Sequence, residues 1–149
     1  MQFNTKVAHS QAVELYNKAE AVLNKHREAM TSAGVSVSRL LAVLSNHSFS
    51  YEPVLHWKDS WLPMHGEAPQ AASGQLTEPA DNPTARALAH QIREELVTVF
   101  YEMGAASNQI GRTYPYLSAL EPGAAELITQ VKRVLDPNGR MNPGVLELH

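Results

Sequence analysis

Apolar residues recur along this chain with two different periods, and the changes of period divide it into elements. From Ser10, the residues Ala12, Leu15, Tyr16, Ala19, Val22, Leu23 and Met30 return at spacings of three, four and seven. Glu14, Lys18 and Lys25 are left mostly on the other face, so one helix is expected, capped by Ser10 and stopped by Gly34. The run Leu40-Leu41-Ala42-Val43-Leu44 within Val35 to Leu44 reads as a strand, and so do Phe49, Tyr51, Val54, Leu55 and Trp57. Pro53 removes a ladder donor from the second of these and suggests an edge or a bulge. Asn82-Pro83 opens a further helix as cap and first-turn proline, with Ala85, Leu88, Ala89, Ile92, Leu96, Val99, Phe100 and Met103 on one stripe, and Gly104 ends it. Ala105 to Ile110 is a short candidate strand. Ala124 to Leu135 is a third helix with Leu127, Ile128, Val131, Val134 and Leu135 expected inward, closed by the Asp136-Pro137-Asn138-Gly139 turn.

Between these elements, residues 62–83 shift to Pro, Gly, Ala and Ser with almost no large apolar anchor, which predicts a long loop of the lid or connector kind. The order of elements implies one α+β domain over residues 1–149, a small, mostly antiparallel sheet covered on one face by about three helices. Only two or three strands are visible. Such a sheet has long edges and an open face that need cover, a hint that this is part of a larger assembly.

Composition narrows the chemistry. At 149 residues with 44% apolar and 18% charged residues, the chain has material for one ordinary core. With a formal charge of -3 and no basic cluster, no nucleic-acid partner is expected. Cysteine is absent, which excludes disulfides, thiolate metal sites and cysteine nucleophiles, so redox chemistry would need a bound cofactor. No apolar stretch approaches the roughly 20 residues of a membrane span, no membrane partner is expected, and the chain reads as cytoplasmic. His56, Asp59 and His65 carry metal-binding groups at a spacing that fits no strong motif, and no metal is expected. His9, His26, His47 and His90 read as surface residues, and Glu94 and Glu95 as a solvated helix face.

Residues Val131 to Gly144 run Val-Lys-Arg-Val-Leu-Asp-Pro-Asn-Gly-Arg-Met-Asn-Pro-Gly: a helix end, a tight turn, then a Pro-Gly turn. This segment resembles the closing motif of the FAD-linked oxidases of the vanillyl-alcohol oxidase type. There a helix ends in Lys-x-x-Leu-Asp-Pro-x-Gly and runs into Asn-Pro-Gly. The stretch Gly104 to Tyr116 is similar to the strand and loop preceding the last helix of that family, and Tyr51-Glu52-Pro53 and Trp57-Lys58-Asp59 resemble pieces of its substrate-domain sheet.

The resemblance implies the C-terminal cap or substrate domain of an FAD-dependent oxidoreductase that oxidises a small hydroxy acid or alcohol by hydride transfer to flavin. It implies Arg112 at the flavin's pyrimidine edge as both catalytic and cofactor-binding residue. Tyr114 and Tyr116 would bond the substrate, and Asn142 and Gly144 would return toward the flavin. His56 and Trp61 would line the substrate side of the docked cap. The chain departs from the family in two places. Ser107, Asn108 and Gln109 stand where many hydroxy-acid members have Ser-Gly-Glu-His-Gly, so no histidine role carries over. No Gly-x-Gly occurs among the eight glycines to cradle a pyrophosphate, so FAD would have to be held by a separate FAD-binding domain or subunit. The alternative is a non-catalytic interaction module, or an oligomeric remnant of such an enzyme.

Overall fold

The computed structural model describes residues 1–68, 74, 76–107 and 111–147. It is an α+β fold with a small, open three-stranded antiparallel sheet and, among the described residues, five α-helices. Strand β1 (Thr5–Ala8) leads through a single 3-10 turn, His9–Gln11, into α1 (Ala12–Lys25) and α2 (Arg27–Ala33). Strands β2 (Ser36–Leu44) and β3 (Ser48–His56) form a hairpin, followed by the one-turn α3 (Pro63–Gly66), then α4 (Pro83–Glu102) and α5 (Pro122–Leu135). The strand order is β1-β3-β2, so β3 is central. No helix among the described residues is long and apolar enough to cross a membrane.

The helix expected from Ser10 to Gly34 is two helices. The chain leaves helical geometry at His26 (φ -97°, ψ 5°), and Ser10 lies in the 3-10 turn, where it caps nothing. Gly34 stops α2 as expected: at φ +71° it takes the left-handed conformation that only glycine adopts without strain, and Val35 N donates back to Met30 O at 2.8 Å.

Pro53 is corrected more sharply. It is fully buried in the central strand, opposite Arg39, and not on an edge. Phe3 N donates to Pro53 O at 3.2 Å, and the return bond that Pro53 cannot give is the point where the N-terminal segment breaks off between the Gln2 bridge and β1. The missing donor therefore costs one rung on one side only.

Odd-numbered residues of β3 point at the helices: Tyr51, Pro53 and Leu55 are fully buried there. Against them pack Phe3 and Val7 from the N-terminal strand, Leu15, Ala19 and Leu23 of α1, Met30 of α2, and Ala85, Ala89, Ile92, Leu96 and Phe100 of α4. Each large apolar side chain fully buried here contributes about 1.5–3 kcal/mol. The opposite face of the sheet has no helix on it among the described residues.

α4 starts as its sequence predicts, with Asn82 Oδ1 accepting from Ala85 N at 3.0 Å and Pro83 in the first turn. α5 does not do what its stripe predicts. It buries no residue; Leu127, Val134 and Leu135 are 62%, 79% and 70% exposed. The expected strand after Gly104 is reduced to a single bridge, in which Lys6 N and Ala106 N each donate to the other's carbonyl, at 2.8 and 2.9 Å. Residues 108–110 of that stretch lie outside the described residues. The expected loop at 62–83 contains α3, and its residues 69–73 and 75 are likewise outside the described residues.

Candidate functional site

The seven residues singled out in the sequence fall into three groups in space. Arg112 and the tail turn form the first. The exposed Arg112 Nη2 donates to Pro143 O at 2.5 Å, and a Cβ added at Gly144 would lie 3.4 Å from Arg112 Nε. Gly144 (φ +78°) and Asn142 (φ +48°) both sit in the left-handed region, and Val145 N donates to Asn142 O at 3.1 Å to close the turn. A chain separation of 31 residues is thus closed onto one guanidinium. That guanidinium has five N–H donors, so one carbonyl leaves it capacity for an anion or a ring carbonyl.

Tyr114 and Tyr116 form the second group, around a cavity of about 550 Å³ walled also by Thr5, Phe100, Tyr101 and Ala105. Tyr114 is buried, and its hydroxyl accepts from Asn4 N at 2.8 Å, which ties the C-terminal third to the start of β1. Burial pushes its phenol up, against the hydrogen bonds from Asn4 and Ser107. Tyr116 is half-buried. The Thr5 hydroxyl is buried at this cavity without a partner among the described residues, an acceptor and donor left for a molecule inside it. Arg112 is not in the described lining.

No family model, curated protein or solved structure matches this chain. Geometry alone therefore ranks the places where chemistry can occur.

His56 and Trp61 form the third group and do come together. Both line a cleft of about 760 Å³ where the chain leaves β3 and approaches the start of α4, with Trp57, Asp59, His65 and Arg86. His56 Nε2 pairs with Ser38 Oγ at 2.8 Å across the strand, and Leu62 N donates to His65 Nδ1 at 3.1 Å. The cleft is shaped by Asp59. Its two oxygens accept a fork from Arg86 (2.9 and 3.0 Å), Trp57 Nε1 (3.1 Å), Asn82 N (2.8 Å) and Ser60 N (2.9 Å). The Arg86 guanidinium first, then the Asn82 amide, hold this carboxyl well below the usual carboxylate range. So bound, Asp59 is a scaffold for the cleft and is spent as a metal ligand. Among the described residues no cluster of three His, Asp or Glu could hold a metal ion.

Sequence reasoning missed three polar constellations. Asp59 with Arg86 is one. In the second, Tyr51 Oη donates to Glu20 Oε1 at 2.6 Å, while Arg39 grips both Glu20 oxygens at 2.5 and 2.8 Å, all on the helix face of the sheet. Burial pushes the Glu20 carboxyl up, but the bonds from Arg39 and Tyr51 outweigh it and the net shift is downward. Burial, then the Glu20 carboxylate, push the Tyr51 phenol up. In the third, His26, expected at the surface, is buried at the break between α1 and α2 and bonds Glu95 Oε1 at 3.0 Å, and Lys25 takes the other oxygen at 2.9 Å. Glu95 is therefore half of an α1–α4 clamp and not a free solvated carboxylate. The one local signal was Asp81-Asn82-Pro83 followed by Arg86, a helix start with a cation in its first turn, which also pairs with Asp81.

Proposed function

We propose that this chain is the substrate-side, C-terminal portion of an FAD-dependent oxidoreductase acting on a small hydroxy acid or alcohol, and that it works only when docked on a separate FAD-binding domain or subunit. The observation that carries this reading is the return of the Asn142-Pro143-Gly144 tail onto Arg112. The closing motif and the Gly104–Tyr116 stretch that precedes the last helix thus meet at one exposed cation, as the resemblance to FAD-linked oxidases implies for a flavin-facing arginine.

The fit to flavin is partial, and this agrees with a divided enzyme. Arg112 has donors to spare for the pyrimidine edge of an isoalloxazine ring. Nothing among the described residues suits the pyrophosphate: the sequence has no Gly-x-Gly, and the left-handed glycines at 34, 74, 104, 139 and 144 each serve a separate turn. When bound, the flavin supplies the hydride acceptor. The chain's own residues would then stabilise negative charge through Arg112, bury the substrate's apolar body against Trp57 and Trp61 or against Phe100 and Tyr116, and offer Thr5 or Tyr116 to its hydroxyl. A cytoplasmic setting goes with this reading.

The test is capture. Immobilised chain, offered lysate of its own source cells, should retain a protein with visible flavin absorbance, in a complex that the alcohol or hydroxy-acid substrate bleaches. Arg112→Ala should retain the same protein but bleach at least about tenfold more slowly. A retained complex without flavin, or FAD bound one-to-one by the isolated chain, overturns the proposal. The alternative of a non-catalytic interaction module draws on the exposed stripe of α5, and the flavin-free complex is its signature.

A further inference from the structure

β2 is a nine-residue edge strand, Ser36 to Leu44, which among the described residues pairs only with β3. It carries none of the devices that keep such an edge single: no proline, no lysine, and a lone Arg39 whose charge is drawn back onto Glu20. Leu40 and Val43 are 57% and 68% exposed on it.

Its backbone has a definite polarity. On β3, odd-numbered residues turn their backbone groups toward the N-terminal segment, since Leu55 N donates to Met1 O (2.8 Å) and Phe3 N donates to Pro53 O. Even-numbered residues of β3 must then serve β2, and through the register Leu40↔Glu52 the even residues of β2 are the ones engaged. Val37, Arg39, Leu41 and Val43 therefore direct their amides and carbonyls outward.

We propose that two copies of this chain pair β2 to β2, antiparallel, about a two-fold axis at Leu40, joining two three-stranded sheets into one continuous sheet. Outward backbone groups must meet outward ones, so odd residues face odd residues. An axis at Arg39 sets two guanidiniums against each other. An axis at Leu41 runs Val37 against Ser45, where φ +57° has already ended the strand. The axis at Leu40 uses all nine residues and sets Val37 against Val43 and Arg39 against Leu41.

A second observation selects the same register. On the helix face beside Val37, a shallow cavity of about 160 Å³ lies between α1, α2 and β2, with Met30, Val35 and Val37 on its apolar side and Arg27, Thr31 and Arg39 on its polar side. Facing residues share a face of the sheet, so Val43 of the second copy arrives next to that cavity, and the symmetry repeats the contact. Ladder bonds supply attraction, and the Val37–Val43 pair, seated beside the apolar side of that cavity, supplies register, the two ingredients of strand addition.

The size of the contact fixes its strength. A strand about 30 Å long in a layer about 10 Å thick covers on the order of 300 Å² per partner, so the pair lies well below the ~1,200 Å² of a permanent interface. The dimer is therefore weak and reversible.

Sedimentation velocity over a concentration series should show the mass rising from 16.4 kDa toward twice that value. Val43→Lys, at an exposed position that leaves the fold intact, should weaken the dimer at least tenfold, or about 1.4 kcal/mol. Since the chain has no cysteine, Leu40→Cys introduces a single thiol. At a non-hydrogen-bonded pair on the axis the two thiols are within disulfide reach, and mild oxidation should yield a covalent dimer. Ala42→Cys, on the same face but about 13 Å from its copy, should not cross-link. A chain that stays monomeric at every concentration, with Leu40→Cys uncross-linked, overturns the proposal, as it would if the edge served a different protein. Equal cross-linking of Ala42→Cys overturns the register.

Discussion

α4 and α5 carry the same kind of apolar stripe and meet opposite fates. α4 lays Ala85, Ala89, Ile92, Leu96 and Phe100 into the sheet and buries them, whereas the stripe of α5 faces outward. Periodicity states a capacity to bury a face. Burial also needs a surface to receive it, and the helix-facing side of three strands is already taken by α1, α2 and α4. The difference should appear first in stability. Leu96→Ala, at a fully buried position, is expected to lower the free energy of unfolding in urea by about 2–5 kcal/mol. A loss under 1 kcal/mol would mean that the helix layer is not packed as described.

Within the same packed layer, the Tyr51–Glu20–Arg39 group gives the next largest effect. Tyr51→Phe keeps the ring and its edge-on contact with Tyr16 but deletes the hydroxyl bonded to Glu20, and should cost about 1–2 kcal/mol. Glu20 also sets a pH dependence. Its folded pKa lies below the unfolded value near 4.5, so on acidification the unfolded chain takes up the proton first. The stabilisation is complete above about pH 4.5 and is lost as pH falls through the lower folded value. Glu20→Gln should flatten that acid limb in a series of urea melts. An unchanged limb would show that Asp59, Glu95 and Asp136, which shift in the same direction, carry it alone.

What the sequence made legible follows the same division. The caps of α4, the left-handed stop at Gly34 and the alternation of β3 were readable because each is decided within a few residues. The central position of Pro53 was not readable: whether its missing donor matters depends on which neighbour lies on which side, and Phe3 is 50 residues away. The basic partners of Glu20, Asp59 and Glu95, which lie 19 to 70 residues away, were hidden for the same reason. At the candidate sites, local proximity placed Tyr114 beside Tyr116 and His56 near Trp61, but the closure of Gly144 onto Arg112 and the tie from Tyr114 to Asn4 depend on long-range packing. The outward face of α5 misled because amphipathicity is identical for a helix that docks within its own chain and one that docks elsewhere.

In the C-terminal tail turn, one substitution should register clearly. Gly144 combines φ +78° with Arg112 close to where a Cβ would stand. Gly144→Ala is expected to cost about 1–2 kcal/mol, confined to the tail turn and visible as faster hydrogen exchange of the Val145 amide, while the α4 amides keep their protection. If α4 amides accelerate too, the two regions form one cooperative unit and the contrast between them fails.

The smallest effect is the one that separates the readings of α5. Val134→Ser changes a side chain that is 79% exposed, so unfolding should move by less than about 0.5 kcal/mol. A cost above 1 kcal/mol would show that the stripe is buried by the chain itself in solution. If stability is unchanged, the same variant can be taken to the capture experiment. Loss of the retained flavoprotein there would assign the stripe to the docking face, because a side chain that contributes nothing to folding can weaken the complex only by touching the partner. Retention at full strength would move the docking face to the Arg112 side of the molecule and leave α5 with no role in it.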